Sequence, residues 1–387
     1  MSAPINEVPT SFQKKKRVSV QIPGTKPSFH NAQLLISTGV PSLDHVIGGG
    51  LAVGTILLIE EDLYGNYAKV LLKYFLAEGC VVGHELLVAS CDVPPKQIMA
   101  ELPGPIMTEP VDSSATDTAE SMSKMNIAWR YQNLPVVKSS TTSKSFSHYY
   151  DLTKVMPEDL LNKTTATLIN TNDFLTTPCT SSVMTLTPAY ENLLRRIQSQ
   201  ITDGGFGTTQ TKPQSERNVL RIALHALGSP LWRSEDWSSD RLDTSLTTFL
   251  YLLRALMRQS YAACLITVPT HLFEDAALTR RVERLADTAI RLESFCGSQH
   301  EHNPAFKEYH GLFHIVRLPR LNCLTCQMPE TLDLAFKLRR KTFMIEKLHL
   351  PPDLSETASR SQEELGVPLS SSSAHGCNAA VSRNLDF

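Results

Sequence analysis

The chain has 387 residues, of which 42% are hydrophobic and 20% charged, and its formal net charge at pH 7 is -2. This composition supports a sizeable core, and it excludes both a wholly disordered chain and a histone-like polycation. Because there is no run of ~18 apolar residues, no apolar signal-peptide core and no regular cysteine spacing, we expect a soluble intracellular protein with reduced thiols and no membrane contact.

Flexible ends are predicted at both termini. Residues 1–33 form a basic N-terminal arm, because the run from Lys14 to Arg17 is followed by proline- and glycine-punctuated sequence. Such a run usually belongs to a solvated tail, and a nuclear-localisation or RNA-contacting segment is the alternative. Residues 351–387 form a serine-, alanine- and glutamate-rich tail that we expect to be disordered.

Between these ends, strand and helix patterns alternate. Short apolar runs predict strands at residues 54–59, 84–90, 126–131, 219–227, 262–268, 288–293, 311–318 and 335–348. Apolar residues at helical spacing predict helices at residues 70–79, 94–99, 187–203, 246–257 and 274–286, with Gly79 ending the first of them.

Two segments near residues 102–124 and 139–185 are rich in serine and threonine and show no period, so they are predicted to be inserted loops. The rest of the region from 34 to 350 follows a repeated strand–helix–strand order. We therefore predict one α/β domain with a mostly parallel twisted sheet, helices on both faces and long Ser/Thr-rich insertions.

The most informative segment is 37–51, which reads STGVPSLDHVIGGGL. It resembles the stretch that precedes the first strand and the Walker A loop in RecA/KaiC-like ATPases. The resemblance implies a RecA-like fold. In that family the next element is G-x-x-x-x-G-K-(S/T), whose amide groups, lysine and hydroxyl hold phosphate and Mg²⁺.

This chain departs from the family at that loop. If Gly65 matches the second glycine, then Glu60 replaces the first glycine, Asn66 the lysine and Tyr67 the hydroxyl residue, with Glu61 and Asp62 between them. Loss of the lysine removes roughly 1.5–3 kcal/mol. A carboxylate ~4 Å from a phosphate oxygen adds a repulsion on the order of 4 kcal/mol. A helix N-terminus restores at most ~2 kcal/mol, so we predict no tight nucleotide binding by this chain alone.

Further segments sharpen the resemblance from about Phe12 to the C-terminus. They are LLIEED at 57–62, KYFLAEG at 73–79, AWRYQ at 128–132, LGSPLW at 227–232, PTHL at 269–272, RLESF at 291–295, YHGL at 309–312, PRLN at 319–322 and LHLPP at 348–352. Together they identify the chain as similar to the PAXNEB family of Elongator subunits, RecA-like proteins that lack a working Walker A motif.

The PAXNEB resemblance implies a non-catalytic subunit with no cofactor and no metal. It implies assembly with two paralogous RecA-like Elongator subunits into a heterohexameric ring that binds tRNA and joins the larger Elongator subunits. It also implies support of wobble-uridine C5 modification (mcm5/ncm5-type), in the cytoplasm with a nuclear pool. The alternative is a ring ATPase that hydrolyses ATP at subunit interfaces to release tRNA, and a transcription-associated adaptor is a third hypothesis without a supporting motif.

Other candidate chemistry is sparse. Cys323 and Cys326 form a C-x-x-C pair, but His310 and His314 lie four residues apart at a predicted strand, ~13 Å from each other, so they cannot bind one metal at ~2 Å. We expect no zinc site. His225 lies in an apolar strand and is predicted to be a core histidine, and the loop at Ser229 and Pro230 is expected to face the former nucleotide cleft.

Basic residues near the C-terminal end of the domain are the candidates for RNA contact. On one alternating strand, Lys337, Arg339 and Lys341 would share a face, and Arg317 and Arg320 lie nearby in sequence. They could form part of an RNA surface, in which phosphate contacts would dominate. The alternative is a solvated edge strand, because lysines prevent edge-to-edge pairing.

Overall fold

A nine-stranded sheet forms the centre of the protein. The computed structural model describes residues 22–28, 33–106, 146–170, 186–209, 213, 216–232, 239–324 and 328–349. The strands are β1 (Thr25–Pro27), β2 (Leu34–Ile36), β3 (Leu51–Ala52), β4 (Ile56–Glu60), β5 (Glu85–Ser90), β6 (Pro103–Pro105), β7 (Tyr150–Val155), β8 (Ala166–Ile169), β9 (Leu220–His225), β10 (Ala262–Val268), β11 (Thr288–Ser294), β12 (Gly311–Arg317), β13 (Leu334–Leu338) and β14 (Phe343–Lys347).

The described helices of six or more residues connect and cover these strands. They are α1 (Pro41–Val46), α2 (Asn66–Val82), α3 (Pro95–Ala100), α4 (Glu158–Lys163), α5 (Pro188–Asp203), α6 (Ser239–Arg258) and α7 (Ala276–Leu285). Their ends follow local chemistry. Pro188 occupies the first turn of α5, and the Asp275 carboxylate accepts a hydrogen bond from the Ala277 amide at the start of α7.

The central sheet has the strand order β14-β13-β12-β11-β4-β10-β9-β5-β8. The strands from β11 to β8 are parallel, and β12, β13 and β14 add an antiparallel extension beside β11. Every residue of β10 is buried, as expected for a central parallel strand that is covered on both faces. This architecture confirms the predicted mostly parallel α/β fold and is consistent with a RecA-like domain.

Alternate side chains of the parallel strands pack in two separate cores. In β4, Leu57 and Ile59 pack in the core that contains α2, whereas Ile56 and Leu58 pack in the core that contains α5, α6 and α7. The helices therefore cover both faces of the sheet. The carboxyl ends of the parallel strands lie on one side of the sheet, here called the carboxyl edge, and their amino ends lie on the other side, the amino edge. The loops after β4, β5, β9, β10 and β11 therefore lie together at the carboxyl edge.

The N-terminal boundary differs from the prediction. Residues 25–27, assigned above to the flexible arm, form β1, which pairs antiparallel with β2, and Ile22 is buried in the core. Sequence pattern missed this strand because three residues carry no period and pair only when β2 is in place. The run from Lys14 to Arg17 lies outside the described residues.

The segment between 139 and 185 is more regular than predicted. It contains β7, which pairs with β6, and β8, which extends the central sheet in parallel beside β5. Helix α4 lies between them, so the expectation of an insertion without regular structure was wrong for residues 150–169. The strand predicted at 126–131 and the tail predicted at 351–387 lie outside the described residues.

Helix α2 and the predicted strand 335–348 differ from what the sequence predicted. Helix α2 passes through Gly79 and ends at Val82, with Gly83 in the left-handed conformation at φ 84°. A Cβ at Gly79 would lie 2.5 Å from Leu86 and 2.9 Å from Arg221, so this glycine serves close packing and not helix termination. The predicted strand 335–348 is a hairpin of β13 and β14. In the described part of the chain no helix is long and apolar enough to span a membrane.

Candidate functional site

The candidate site is the loop between β4 and α2, where a phosphate-binding loop would lie in a RecA-like ATPase. The strand ends at Glu60 and the helix begins at Asn66. Gly65 adopts φ 64°, a left-handed conformation that favours glycine, and its amide donates to the Asp62 carbonyl at 2.8 Å. The strand–turn–helix shape predicted from the sequence is therefore present.

The amide groups at the start of α2 are occupied by the side chain of Asp62. Its carboxylate accepts hydrogen bonds from the backbone N–H groups of Asn66 (3.3 Å), Tyr67 (3.0 Å) and Ala68 (3.4 Å), and the side chain is buried. The first amides of a helix are the groups that bind a phosphate oxygen. The acidic turn predicted from the sequence is present, and one of its carboxylates accepts hydrogen bonds from the amides that a phosphate would use.

Glu60 is committed to an ion pair at the same edge. Arg291 of β11 donates through Nε to Glu60 Oε2 at 2.8 Å, and the Thr270 hydroxyl donates to the same oxygen at 3.2 Å. Arg291 Nη2 also donates to Glu283 Oε1 at 3.1 Å. Burial, followed by the nearby Glu60 carboxyl group, raises the pKa of Glu283 to about 7. The guanidinium group is thus held between two carboxyl groups.

Glu61 is the third acidic residue of the loop. Burial raises its pKa to about 7, and the Asp92 and Asp62 charges act in the same direction. Its Oε1 atom is buried and makes no hydrogen bond within the described part of the protein. Asp92 accepts a 2.6 Å hydrogen bond from the Ser229 hydroxyl, so the loop at Ser229 does lie at this edge of the sheet.

The positions that would carry the phosphate-loop lysine and hydroxyl have a different role here. Asn66 is exposed. The centroid of the Tyr67 ring lies 4.7 Å from the ring centroid of Phe336 and 6.2 Å from that of His310. A shallow depression of about 360 Å³ lies beside the β4–α2 loop. It is lined by Glu60, Glu61, Leu63, Thr270, His271, Thr279, Arg291, Leu292, Glu293 and Ser294. Among these lining residues Arg291 carries the fixed positive charge, and Glu60 and Glu283 already pair with it.

The segment that carried the RecA/KaiC resemblance has a structural role. The Asp44 carboxylate accepts from the Thr38 amide (2.8 Å), the Thr38 hydroxyl (2.7 Å) and the Ser37 hydroxyl (2.5 Å). Arg221 of β9, which is fully buried, donates to the Ser37 carbonyl at 2.9 Å. These bonds tie the loop before α1 to the central sheet.

The other residues with catalytic or metal-binding side chains have local partners. His225 is buried, its Nδ1 lies 3.1 Å from Ser90 Oγ, and burial lowers its pKa to about 4. His314 Nε2 lies 2.8 Å from Glu293 Oε2 on the neighbouring strand. Cys326 lies outside the described residues, so the absence of a zinc site stays a prediction.

The RNA-contact candidates do not share the face that the sequence predicted. Lys337 lies in β13, is buried and pairs with Glu346 of β14. Arg339 and Lys341 are exposed in the hairpin turn, and Lys341 Nζ lies 3.7 Å from Asp151 Oδ2. One alternating strand was the wrong expectation, because the chain reverses between Leu338 and Phe343.

The remaining two candidates lie at the opposite edge of the sheet. In the antiparallel pair of β11 and β12, Arg317 faces Ala289 near the amino end of β11, whereas Gly311 faces Ser294 at the carboxyl end. At ~3.3 Å per residue these ends are roughly 17 Å apart. The five RNA-contact candidates are therefore close in sequence but lie at opposite ends of the strands.

Comparison with known proteins adds an independent finding. The profile of the family described as PAXNEB protein matches residues 18–387. The chain is 52% identical over 363 residues to Elongator complex protein 4 of Danio rerio, covering 91% of this chain and 90% of that protein. It is 46% identical over 405 residues to the protein of that name from Homo sapiens, covering 98% and 94%. The protein of that name from Saccharomyces cerevisiae is 22% identical over 416 residues, covering 94% and 84%.

Proposed function

Because this chain belongs to the PAXNEB family, we propose that it is a non-catalytic subunit of the Elongator complex. The name Elongator complex protein 4, carried by relatives that align with most of the chain, supports the subunit assignment. The observation that carries the non-catalytic role is the position of Asp62, whose buried carboxylate takes the amide groups that a nucleotide phosphate would need.

In this proposal the chain assembles with two paralogous RecA-like subunits into a heterohexameric ring. The ring joins the larger Elongator subunits, binds tRNA and supports modification of wobble uridine at C5, in the cytoplasm and in a nuclear pool. Exposed apolar side chains at the carboxyl edge of the sheet support the presence of a partner chain, since such residues favour protein contacts. They include Leu63 and Tyr64 in the β4–α2 loop and Leu272 after β10.

Complementation tests the proposed function. Cells that lack their own Elongator complex protein 4 would receive this chain, and wobble-uridine C5 modification would be measured by mass spectrometry of purified tRNA. We expect the modification to return and native mass spectrometry of the recovered complex to contain this chain with two RecA-like partners. A chain that stays outside the complex, or a complex that forms without restored modification, would contradict the proposal.

Nucleotide titration distinguishes the scaffold role from that of an ATPase. The isolated full-length chain is expected to show no low-micromolar binding of Mg·ATP by calorimetry, because the lysine is missing and Asp62 occupies the amides of Tyr67 and Ala68. Micromolar binding that is abolished by replacing Glu60, Glu61 and Asp62 would refute this expectation. Hydrolysis that begins only after the partner subunits are added would support the alternative of ATP cleavage at subunit interfaces.

A further inference from the structure

The amino edge of the parallel sheet carries an exposed stripe of α6. Tyr251, Arg254 and Arg258 are spaced three and four residues apart, so they lie on one face of the helix. Tyr251 is 65% exposed, and the side chains of both arginines are partly exposed. An aromatic ring therefore lies beside two cations on the same surface.

A single buried carboxylate fixes the two arginines in place. Asp287 Oδ1 accepts from Nη2 of Arg254 (2.9 Å) and from Nη2 of Arg258 (2.5 Å), and its Oδ2 accepts from the Ile56 amide at 3.1 Å. Arg258 also donates through Nη1 to the Gly54 carbonyl at 3.2 Å. The guanidinium groups are thus anchored to the beginnings of β4 and β11 and do not move freely in solvent.

Two further arginines approach this stripe from β12 and the segment that follows it. Arg317 donates through Nη1 to the Arg284 carbonyl. Arg317 pairs in register with Ala289, two residues after Asp287. Burial and the positive charges of Arg254 and Arg320 lower the pKa of Arg317, and the negative charge of Asp287 acts in the opposite direction. Among the described residues, Arg254 and Arg258 both pair with the single carboxylate of Asp287, so these two arginines carry one more charge than their shared partner neutralises.

We propose that this surface, the amino-edge arginine cluster of Tyr251, Arg254, Arg258, Arg317 and Arg320, binds the phosphate backbone of an RNA strand while Tyr251 stacks on a base. The inference rests on the proposed function, because that function supplies the RNA. It assigns the contact to an edge of the sheet remote from the β4–α2 loop, with Arg254 and Arg258 as residues that the sequence analysis did not single out.

Side-chain chemistry favours RNA over an acidic protein segment as the occupant. A guanidinium group held in place presents a planar pair of donors that matches phosphate geometry, with less ordering left to occur on binding. Every base offers a face for stacking on an aromatic ring, whereas a carboxylate gains nothing from the exposed ring of Tyr251. Arginine and aromatic side chains together are therefore typical of backbone-tracking RNA surfaces.

The experiment uses the assembled complex that contains the full chain and its partner subunits. Affinity for tRNA would be measured at several salt concentrations for the wild type and for a Tyr251→Ala/Arg320→Glu double variant. Both positions are exposed, and neither holds Asp287. We expect affinity to fall about tenfold or more and the slope of log K against log salt to decrease by about 0.7–0.9 for each phosphate that the variant no longer neutralises.

Two matched variants control the measurement. Arg320→Lys keeps the charge and loses the planar donors, so it is expected to weaken binding clearly less than the double variant does. Lys96→Glu changes an exposed cation on α3, which follows β5 at the carboxyl edge, and is expected to leave binding unchanged. Native mass spectrometry of each variant shows whether the complex has assembled.

The outcomes separate this inference from the proposed function. If the wild-type complex binds tRNA and the double variant binds equally well with the same salt slope, the cluster is not an RNA site and the proposed function stands. If the double variant prevents assembly, the surface is a protein interface and the inference is wrong. If the wild-type complex itself does not bind tRNA, the tRNA-binding part of the proposed function fails.

Discussion

The carboxylate of Asp62 acts toward α2 as a bound anion would. It is covalently attached and buried, and it receives three amide hydrogen bonds at the helix start, where the helix dipole favours negative charge. An incoming phosphate would have to displace it and leave the carboxylate buried without those donors. The Asp62 side chain therefore satisfies the first amide groups of α2 from within the loop.

Replacement of this internal ligand is expected to destabilise the fold. Asp62→Ala removes the acceptor for the Tyr67 amide, and we expect the free energy of unfolding in urea to fall by about 0.5–2 kcal/mol, the range for losing a side-chain acceptor at a helix N-terminus. Asp62→Asn is the matched control, since it keeps an oxygen acceptor and loses only the charge, and it should cost less. Equal stability of the alanine variant and the wild type would show that the cap contributes nothing.

At the scale of elements, one buried carboxylate joins the start of β7 and the residues just before it to helix α2. Glu78 of α2 lies 2.9 Å through Oε1 from His148 Nδ1 and accepts a 2.7 Å hydrogen bond from the Tyr150 hydroxyl. The His148 amide donates to the same carboxylate at 3.2 Å. The residues in these contacts are about seventy positions apart in sequence, so the contacts cannot be predicted from either segment alone.

The junction predicts a pH dependence of stability with a definite sign. The hydrogen bond to Glu78 raises the pKa of His148 above its ordinary value. The stability from this pair is therefore fully present below the unfolded pKa, ~6.5, and is lost as pH rises through the raised folded pKa. We expect His148→Gln to lower the free energy of unfolding more at pH 6 than at pH 8.5, as measured in urea.

The other histidines also contribute to the pH dependence of stability, but their contributions are the same in the variant and the wild type. Burial lowers the pKa of His84 to about 3 and that of His225 to about 4, so both destabilise the fold as pH falls below ~6.5. They do so equally in both proteins and cancel in the difference. A difference that is independent of pH, or that grows as pH rises, would contradict the assignment to His148.

Elements with a clear apolar pattern were predictable, and elements that depend on a partner strand were not. The apolar run of β10 and the stripe at 246–257 in α6 carry enough period to be recognised alone. The three residues of β1 and the four of β8 form strands because β2 and β5 offer edges to pair with. The hairpin of β13 and β14 was merged into one strand because its turn, Arg339 to Thr342, contains neither glycine nor proline.

At the scale of the whole molecule, strand direction assigns the basic candidates to two edges. Arg339 and Lys341 lie at the carboxyl edge with the β4–α2 loop, and the arginine cluster lies at the amino edge, roughly 17 Å away along β11. The two surfaces share no side chain. They are expected to act independently on any ligand that spans both.

Charge reversal at the hairpin tests this independence. If both edges contact the RNA, Arg339→Glu/Lys341→Glu should weaken tRNA binding by the assembled complex, and its effect should add to that of Tyr251→Ala/Arg320→Glu within about 0.5 kcal/mol, as for sites without shared partners. Affinity would be measured for each double variant and for the quadruple variant. Unchanged affinity in the hairpin variant eliminates Arg339 and Lys341 as RNA contacts.

Local pattern was enough to predict the parallel α/β core and to show that residues 60–67 lack the lysine and hydroxyl residue of a Walker A loop, since these features are visible without any partner segment. Contacts between distant segments set the rest. Asp62 accepts hydrogen bonds from α2 because the loop turns its side chain toward the start of that helix. Asp287 binds Arg254 and Arg258 because α6 packs beside the start of β11. Such pairings depend on distance in space, which residue spacing does not encode.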